Sequence, residues 1–226
     1  MRGGDPGPRR GRIVPVALAA ICLGFLALAA EAFRATTRPA ASADALAASL
    51  LPVLGMVAGV SLLAGLAFLH WLHGSYERLL AEGFPMGYTP REAVLAWCIP
   101  VVNWIWPFRI LRELMEGVID SRALGPHVEA SLLLRLRWWW GLTLSGALGL
   151  PSLAAIRLRL ADAAEAPEML RAGLEWLGHA ALLEAVATAL LLSVVIVLRS
   201  ALAHPPRATP APGALRLYRK RAASRS

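Results

Sequence analysis

The sequence predicts an all-α integral membrane protein, a four-helix bundle with a proline-broken re-entrant or interfacial helical segment between spans 2 and 3. Three observations carry that prediction. The 226-residue chain is 57% hydrophobic, and it contains uncharged runs as long as the roughly 20 residues a helix needs to cross a bilayer. Basic residues gather around alternate ends of those runs, which orients them. A soluble globular fold is excluded.

The first span is expected at about 13–30, uncharged between Arg12 and Glu31. Its basic approach and the small residues at Ala30-Glu31-Ala32 also resemble a signal peptide. At 18 residues the run is longer than a signal core, so an uncleaved span is favoured. The paired Arg9-Arg10 is weak evidence for twin-arginine export in so arginine-rich a tail.

The second span, about 46–70, lies in a stretch without charge between Asp44 and Glu77, and its helix is expected to continue to Leu80 and stop at Gly83. The third, about 138–156, begins at Trp138-Trp139-Trp140, where amphipathic rings anchor at headgroup level and Arg135 and Arg137 can snorkel. A short helix from about His127 is expected to run straight into it. The fourth, about 176–198, is apolar except for His179 and Glu184. These four spans make one membrane domain, 13–198, between a basic tail at 1–12 and a basic Pro/Ala-rich tail at 199–226, for which disorder is expected.

Basic residues are retained on the cytoplasmic side of a membrane. The tail before span 1 holds four, residues 73–137 hold seven and the tail from Arg199 holds seven, against five in the two remaining loops. Both termini and the large central loop are therefore expected in the cytoplasm, at the inner membrane of a bacterium. Arginine outnumbers lysine 22 to 1, the habit of a high-GC bacterial genome.

The central segment, about 89–118, holds the least ordinary residues. Thr89 is a good N-cap, with Pro90 at the first helical position and Glu92 placed to close a capping box. From Trp97 the chain is apolar and broken by Pro100 and Pro107, each of which lacks a helical donor and clashes with the preceding turn. If this segment crossed the membrane, the tail basic residues from Arg216 to Arg225 would lie outside, against the charge rule. It is therefore expected to enter and return, or to lie in the interface. Phe108, Leu111, Met115 and Val118 share one helical face, with Arg109, Arg112, Glu113 and Glu116 on the rest, as in an interfacial amphipathic helix.

The run Trp71 to Glu116, with Thr89-Pro90, Trp97, Pro100, Asn103, Trp106-Pro107, Arg109 and Glu113, resembles bacterial multi-pass membrane proteins grouped as domain-of-unknown-function family 4328. The resemblance covers about 45–198 and is most specific between Trp97 and Glu116. Two departures stand out: the basic residue Arg109 follows the proline instead of preceding it, and Cys98 occupies a position where an aromatic is usual. The resemblance implies fold and location and supplies no activity.

Several residues are candidates for function. Trp97, Pro100, Asn103, Trp106, Pro107, Arg109 and Glu113 form a candidate platform. Asn103 is read first as a partner for backbone freed by the prolines and second as a ligand contact. Arg109 is read as a snorkelling arginine before a partner of a headgroup or of Glu113. Glu184 and His179 could serve a proton relay, since ionisable groups inside spans usually face a bundle interior or water. The favoured alternative has the fourth helix begin late, near Leu182, leaving both at the external interface.

Small residues repeat every four at Gly55 and Gly59, at Gly141, Ser145 and Gly149, and at Ala181, Ala185, Ala189 and Ser193. Packing within one bundle is favoured over dimerisation for these stripes. No catalytic template occurs, and His70, His73 and Ser75 make no convincing triad. Cys22 and Cys98 are too isolated for a disulfide framework or a zinc site. No enzyme, cofactor, metal or nucleic-acid partner is expected. The expected partners are the bilayer with its anionic headgroups, a protein at the cytoplasmic face and a second copy in a homo-oligomer. A scaffold acting through the platform leads, with a small solute or proton-coupled transporter or channel as the alternative.

Overall fold

The computed structural model describes residues 13–37, 43–99, 104–146 and 166–207, with backbone alone at 43–47 and 166–170. Six helices follow one another among these residues: α1 Ile13–Thr37, α2 Ala43–Ala81, α3 Pro90–Leu95, α4 Trp106–Arg122, α5 Pro126–Leu144 and α6 Ala166–Leu202. The described residues are all-α. Within them α1, Ala48–Ala81 of α2 and Arg171–Leu202 of α6 are long and apolar enough to span a membrane. The far half of the expected third span, 147–156, lies outside the described residues, as do the tails 1–12 and 208–226, Pro100, Asn103 and Gly149.

α2 has 39 residues and α6 has 37, about 55–60 Å each at 1.5 Å per residue, so both outrun a hydrocarbon core of about 30 Å. Pro52 lies inside α2 without ending it, as spans tolerate. Gly83 ends that helix, with φ 84°. Its N–H donates to Leu80 O at 3.0 Å and that of Phe84 to Leu79 O at 3.0 Å, the paired bonds of a Schellman motif. α4 ends the same way: Ala123 N–H donates to Asp120 O at 3.3 Å and Leu124 N–H to Ile119 O at 3.0 Å. There the left-handed position, φ 49°, belongs to an alanine.

Helix α6 corrects the expectation of a late start near Leu182. It begins at Ala166 and is continuous through Glu184. α5 begins at Pro126 and runs unbroken past Trp138 to Leu144.

The chain divides into two compact units. Among the described residues the first holds Ile13 and Val14, Leu66–Arg137 and Ser193–Arg207; the second holds Pro15–Gly65 and Trp138–Leu192. In the second unit, Leu28 and Ala29 of α1 cluster with Val57 and Ala181, and Ala35 clusters with Leu50 and Leu174. Seven residues forward on α1, from Leu28 to Ala35, thus correspond to seven residues back on α2 and on α6. α1 is therefore antiparallel to both, and α2 and α6 run the same way.

The small-residue stripes behave unequally. Ala181 and Ala185 are buried, and Cys22 Sγ reaches Ala185 O at 3.4 Å. By contrast, a Cβ added at Gly55, Gly59 or Gly141 would meet nothing within 4 Å among the described residues. Within the α6 stripe, burial holds for Ala181 and Ala185, whereas Ala189 is exposed.

Candidate functional site

The platform is built on the end of α2. Thr89 caps α3 as its sequence requires: Glu92 N–H donates to Thr89 Oγ1 at 3.2 Å, and Thr89 N–H donates to Glu92 Oε2 at 2.7 Å. The turns after α3 bring Trp97 onto α2, where its ring meets Phe68 edge-on at 5.1 Å. Phe68 also packs on Trp71 at 5.7 Å, so these three rings tie the segment down.

Pro107 lies in the first turn of α4 and is buried, where a missing N–H costs nothing because that donor has no helical acceptor. It opens a helix instead of breaking one. Trp106 packs on Tyr88 at 5.6 Å. Ile99, Trp104, Ile105 and Trp106 are exposed, with Ile105 at 56% and Trp104 at 52%. Arg109 is exposed beside them and has no partner among the described residues.

The far face of α4 is closed. Ile110, Leu111, Leu114, Met115 and Val118 are buried, as are Tyr76, Leu79 and Met86. The apolar face expected to lie on a membrane interface is covered by protein. Gly117 permits the contact, since a Cβ there would come within 3.1 Å of both Leu79 Cδ1 and Met86 Sδ. Glu113 turns toward this core. It accepts from Gly87 N–H, and the Tyr76 hydroxyl donates to Ile110 O at 2.9 Å with Glu113 Oε2 at 3.3 Å as a second acceptor. A Cβ at Gly87 would crowd Glu113 Oε1 to 2.7 Å, so glycine lets the carboxylate reach the backbone. On the outer face Arg112 pairs with Glu116 at 2.7 Å.

Sequence reasoning missed the residues that fix the platform. Arg122, the last residue of α4, is 2% exposed. Its guanidinium takes the Glu82 carboxylate in a fork, Nη1 to Oε2 at 2.7 Å and Nη2 to Oε1 at 2.8 Å, while Nε donates to Ala201 O at 3.2 Å. Arg78 Nε adds 3.1 Å to Glu82 Oε1, and Arg207 N–H donates to Ser121 O at 2.9 Å. The C-terminal ends of α2, α4 and α6 meet on one cation, which also suits the negative ends of their dipoles. Partial burial alone would push the Glu82 carboxyl up. Hydrogen bonds and charge from Arg122 and Arg78 offset that and hold it below its ordinary value of 4.5. No periodic signal links residues so far apart in sequence.

The intramembrane candidates separate. His179 is exposed, its Nδ1 2.6 Å from Glu175 O and its ring edge-on to Phe33 at 5.3 Å. Glu184 is half-buried and faces Gly146 of α5's continuation. Their offset of five residues is about 140° around a helix, and the structure does not bring them together. Ser75 gives its hydroxyl to Trp71 O at 2.8 Å, and His73 lies 3.6 Å from Glu77. Among the described residues no group of three or more His, Cys, Asp or Glu could hold a metal.

Several helices long and apolar enough to cross a membrane, in an all-α chain, define a multi-pass α-helical membrane protein. Residues 34–200 match the family model described as Domain of unknown function (DUF4328). That match takes in most of the chain, and the protein belongs to this family. No curated protein and no solved structure matches it.

Proposed function

We propose that the protein is a membrane-embedded interaction or scaffold protein whose Trp/Pro-rich platform, 97–116, receives a protein partner at the cytoplasmic face of a bacterial inner membrane. The role is non-catalytic. One observation carries the reading: the platform is anchored from behind through Trp97, Glu113 and Arg122, yet it leaves Ile99, Trp104, Ile105 and Trp106 uncovered in front. Apolar side chains on a fixed support suit an interface, where aromatic and arginine residues concentrate binding energy.

Helix directions support the topology. The chain leaves α2 at Glu82 and returns to Glu82 at Arg122, so the platform begins and ends on one side. α6 runs parallel to α2, and must therefore start on the opposite side. An odd number of crossings then lies between them. Together with the basic residues, this parity favours a non-crossing platform and cytoplasmic termini.

In-cell crosslinking followed by purification in mild detergent tests the proposal. A stoichiometric partner lost in Trp104→Ala, Trp106→Ala and Arg109→Ala, and retained in Arg112→Ala, is the expected result. Recovery of the protein alone, unchanged by those substitutions, would overturn it.

A further inference from the structure

A second site, separate from the platform, lies where α6 meets the end of α5. We propose that Glu184, seated against Gly146, is an intramembrane cation-binding group whose ligand is the proton.

Position is the first ground. Leu198 precedes Arg199 at one end of the apolar run, and about 20 residues back, the length that crosses a bilayer core, lies His179. Glu184 is then more than a turn inside the far boundary, on a helix already formed from Ala166.

Local geometry is the second. A Cβ built on Gly146 would stand 2.6 Å from Glu184 Oε1 and 3.4 Å from Cδ. Glycine therefore makes the seat, and the carboxyl lies directly on its backbone. At Ser145 and Gly146 the helix widens into a π turn, a distortion that costs regular hydrogen bonding and recurs at functional sites.

The surroundings are the third ground. The register that joins Cys22 to Ala185 and Leu28 to Ala181 sets α1 residues near Gly24 opposite Glu184, and Cys22 is the titratable group that α1 offers there. Its thiol is engaged with Ala185 O. Glu31, farther along α1, is 2.8 Å from Arg34. α2 carries no charge between Asp44 and Glu77. On α5, Ser145 Oγ donates to Gly141 O at 2.8 Å. On α6 itself, His179 is turned to Phe33. No cationic side chain and no hydrogen-bond donor reaches Glu184 among the described residues. A bare carboxylate inside a span is costly, and binding a small cation removes that cost without any further protein group.

An apolar carbodiimide reads this state directly. The acid's proton passes to one carbodiimide nitrogen as the carboxyl oxygen bonds to the central carbon, and acyl migration from O to N leaves a stable N-acylurea with no leaving group. The full chain in liposomes at pH 7 should gain the mass of dicyclohexylcarbodiimide on the peptide bearing Glu184, with at least ten-fold less labelling by a water-soluble carbodiimide. Glu184→Gln should abolish the adduct. Gly146→Ala should cut it several-fold, and Glu184→Asp, which withdraws the carboxyl from the seat, serves where that variant does not assemble. Equal labelling by the water-soluble reagent would place Glu184 in water and overturn the proposal, as would no adduct. Protection by sodium or potassium at fixed pH would overturn the assignment of the proton.

Discussion

The two units bury different things. The largest fully buried side chains, among them Tyr76, Leu72, Leu79, Met86, Ile110, Leu114 and Leu136, all belong to the unit built from Leu66–Arg137 and the chain from Ser193. The other unit relies on Ala29, Ala32, Ala181 and Ala185 with a few larger neighbours, and its α2 stretch keeps Leu51, Leu54, Leu62 and Leu63 exposed. Large apolar side chains gain by burial when the alternative is water. Where the alternative is lipid, association depends on close contact and favours small residues. The contrast is between a unit that buries large side chains and one that buries mainly small ones.

The largest effect should come from the buried ion pair. Arg122→Ala leaves Glu82 with Arg78 alone, a half-exposed partner at 3.1 Å, and should cost up to about 3–5 kcal/mol, read as thermal unfolding of the purified protein in detergent. Arg122→Met combined with Glu82→Leu should regain most of it, because an apolar pair removes both charges together. A loss below about 1 kcal/mol for the single variant would mean that the fork lies open to water, where ion pairs are weak.

Matched truncations in the two units sharpen the comparison. Leu79→Ala should cost about 2–5 kcal/mol, the range for cavities in water-driven cores. Leu28→Ala, equally buried, should cost less than about half as much when measured in bilayer or bicelle, since lipid can serve the exposed surface in the unfolded state. Equal costs would erase the distinction between the units.

The Glu82 carboxyl adds a pH signature to the cap. Its value in the folded protein is depressed, so its contribution to stability is full above the ordinary 4.5 and is lost as pH falls through the lower folded value. Unfolding of the cap followed by Tyr and Trp fluorescence should therefore weaken with acid below about pH 4.5, and Glu82→Gln should flatten that part of the profile. The smallest effect belongs to Ala123. A left-handed alanine carries about 1 kcal/mol of strain, so Ala123→Gly should raise stability by up to that amount without altering the Schellman bonds.

Local chemistry was legible in the sequence. Thr89, Pro90 and Glu92 spelled a capping box because all three act within one turn, and Gly83 marked a stop because few other residues take its backbone angles. The periodicity of Leu111, Met115 and Val118 gave the right face of α4 but not its cover, since a buried stripe looks alike whether protein or membrane lies over it. Arg122 carried no signal of its own, since its partners at Glu82 and Ala201 lie far off in sequence. Ala123 gave no sign of its conformation, for which Gly125 is the residue type one would have chosen. Apolar length showed which stretches could span, whereas the start of α6 at Ala166 lay hidden in a polar approach that helices accept readily.

Because Glu82 and Arg122 close on each other, everything between them is an excursion that departs from and rejoins the end of α2 at a single point. Such a loop is portable. A change of length within it need not displace the ends of α2 and α4, provided an acid remains at the exit and an arginine at the return.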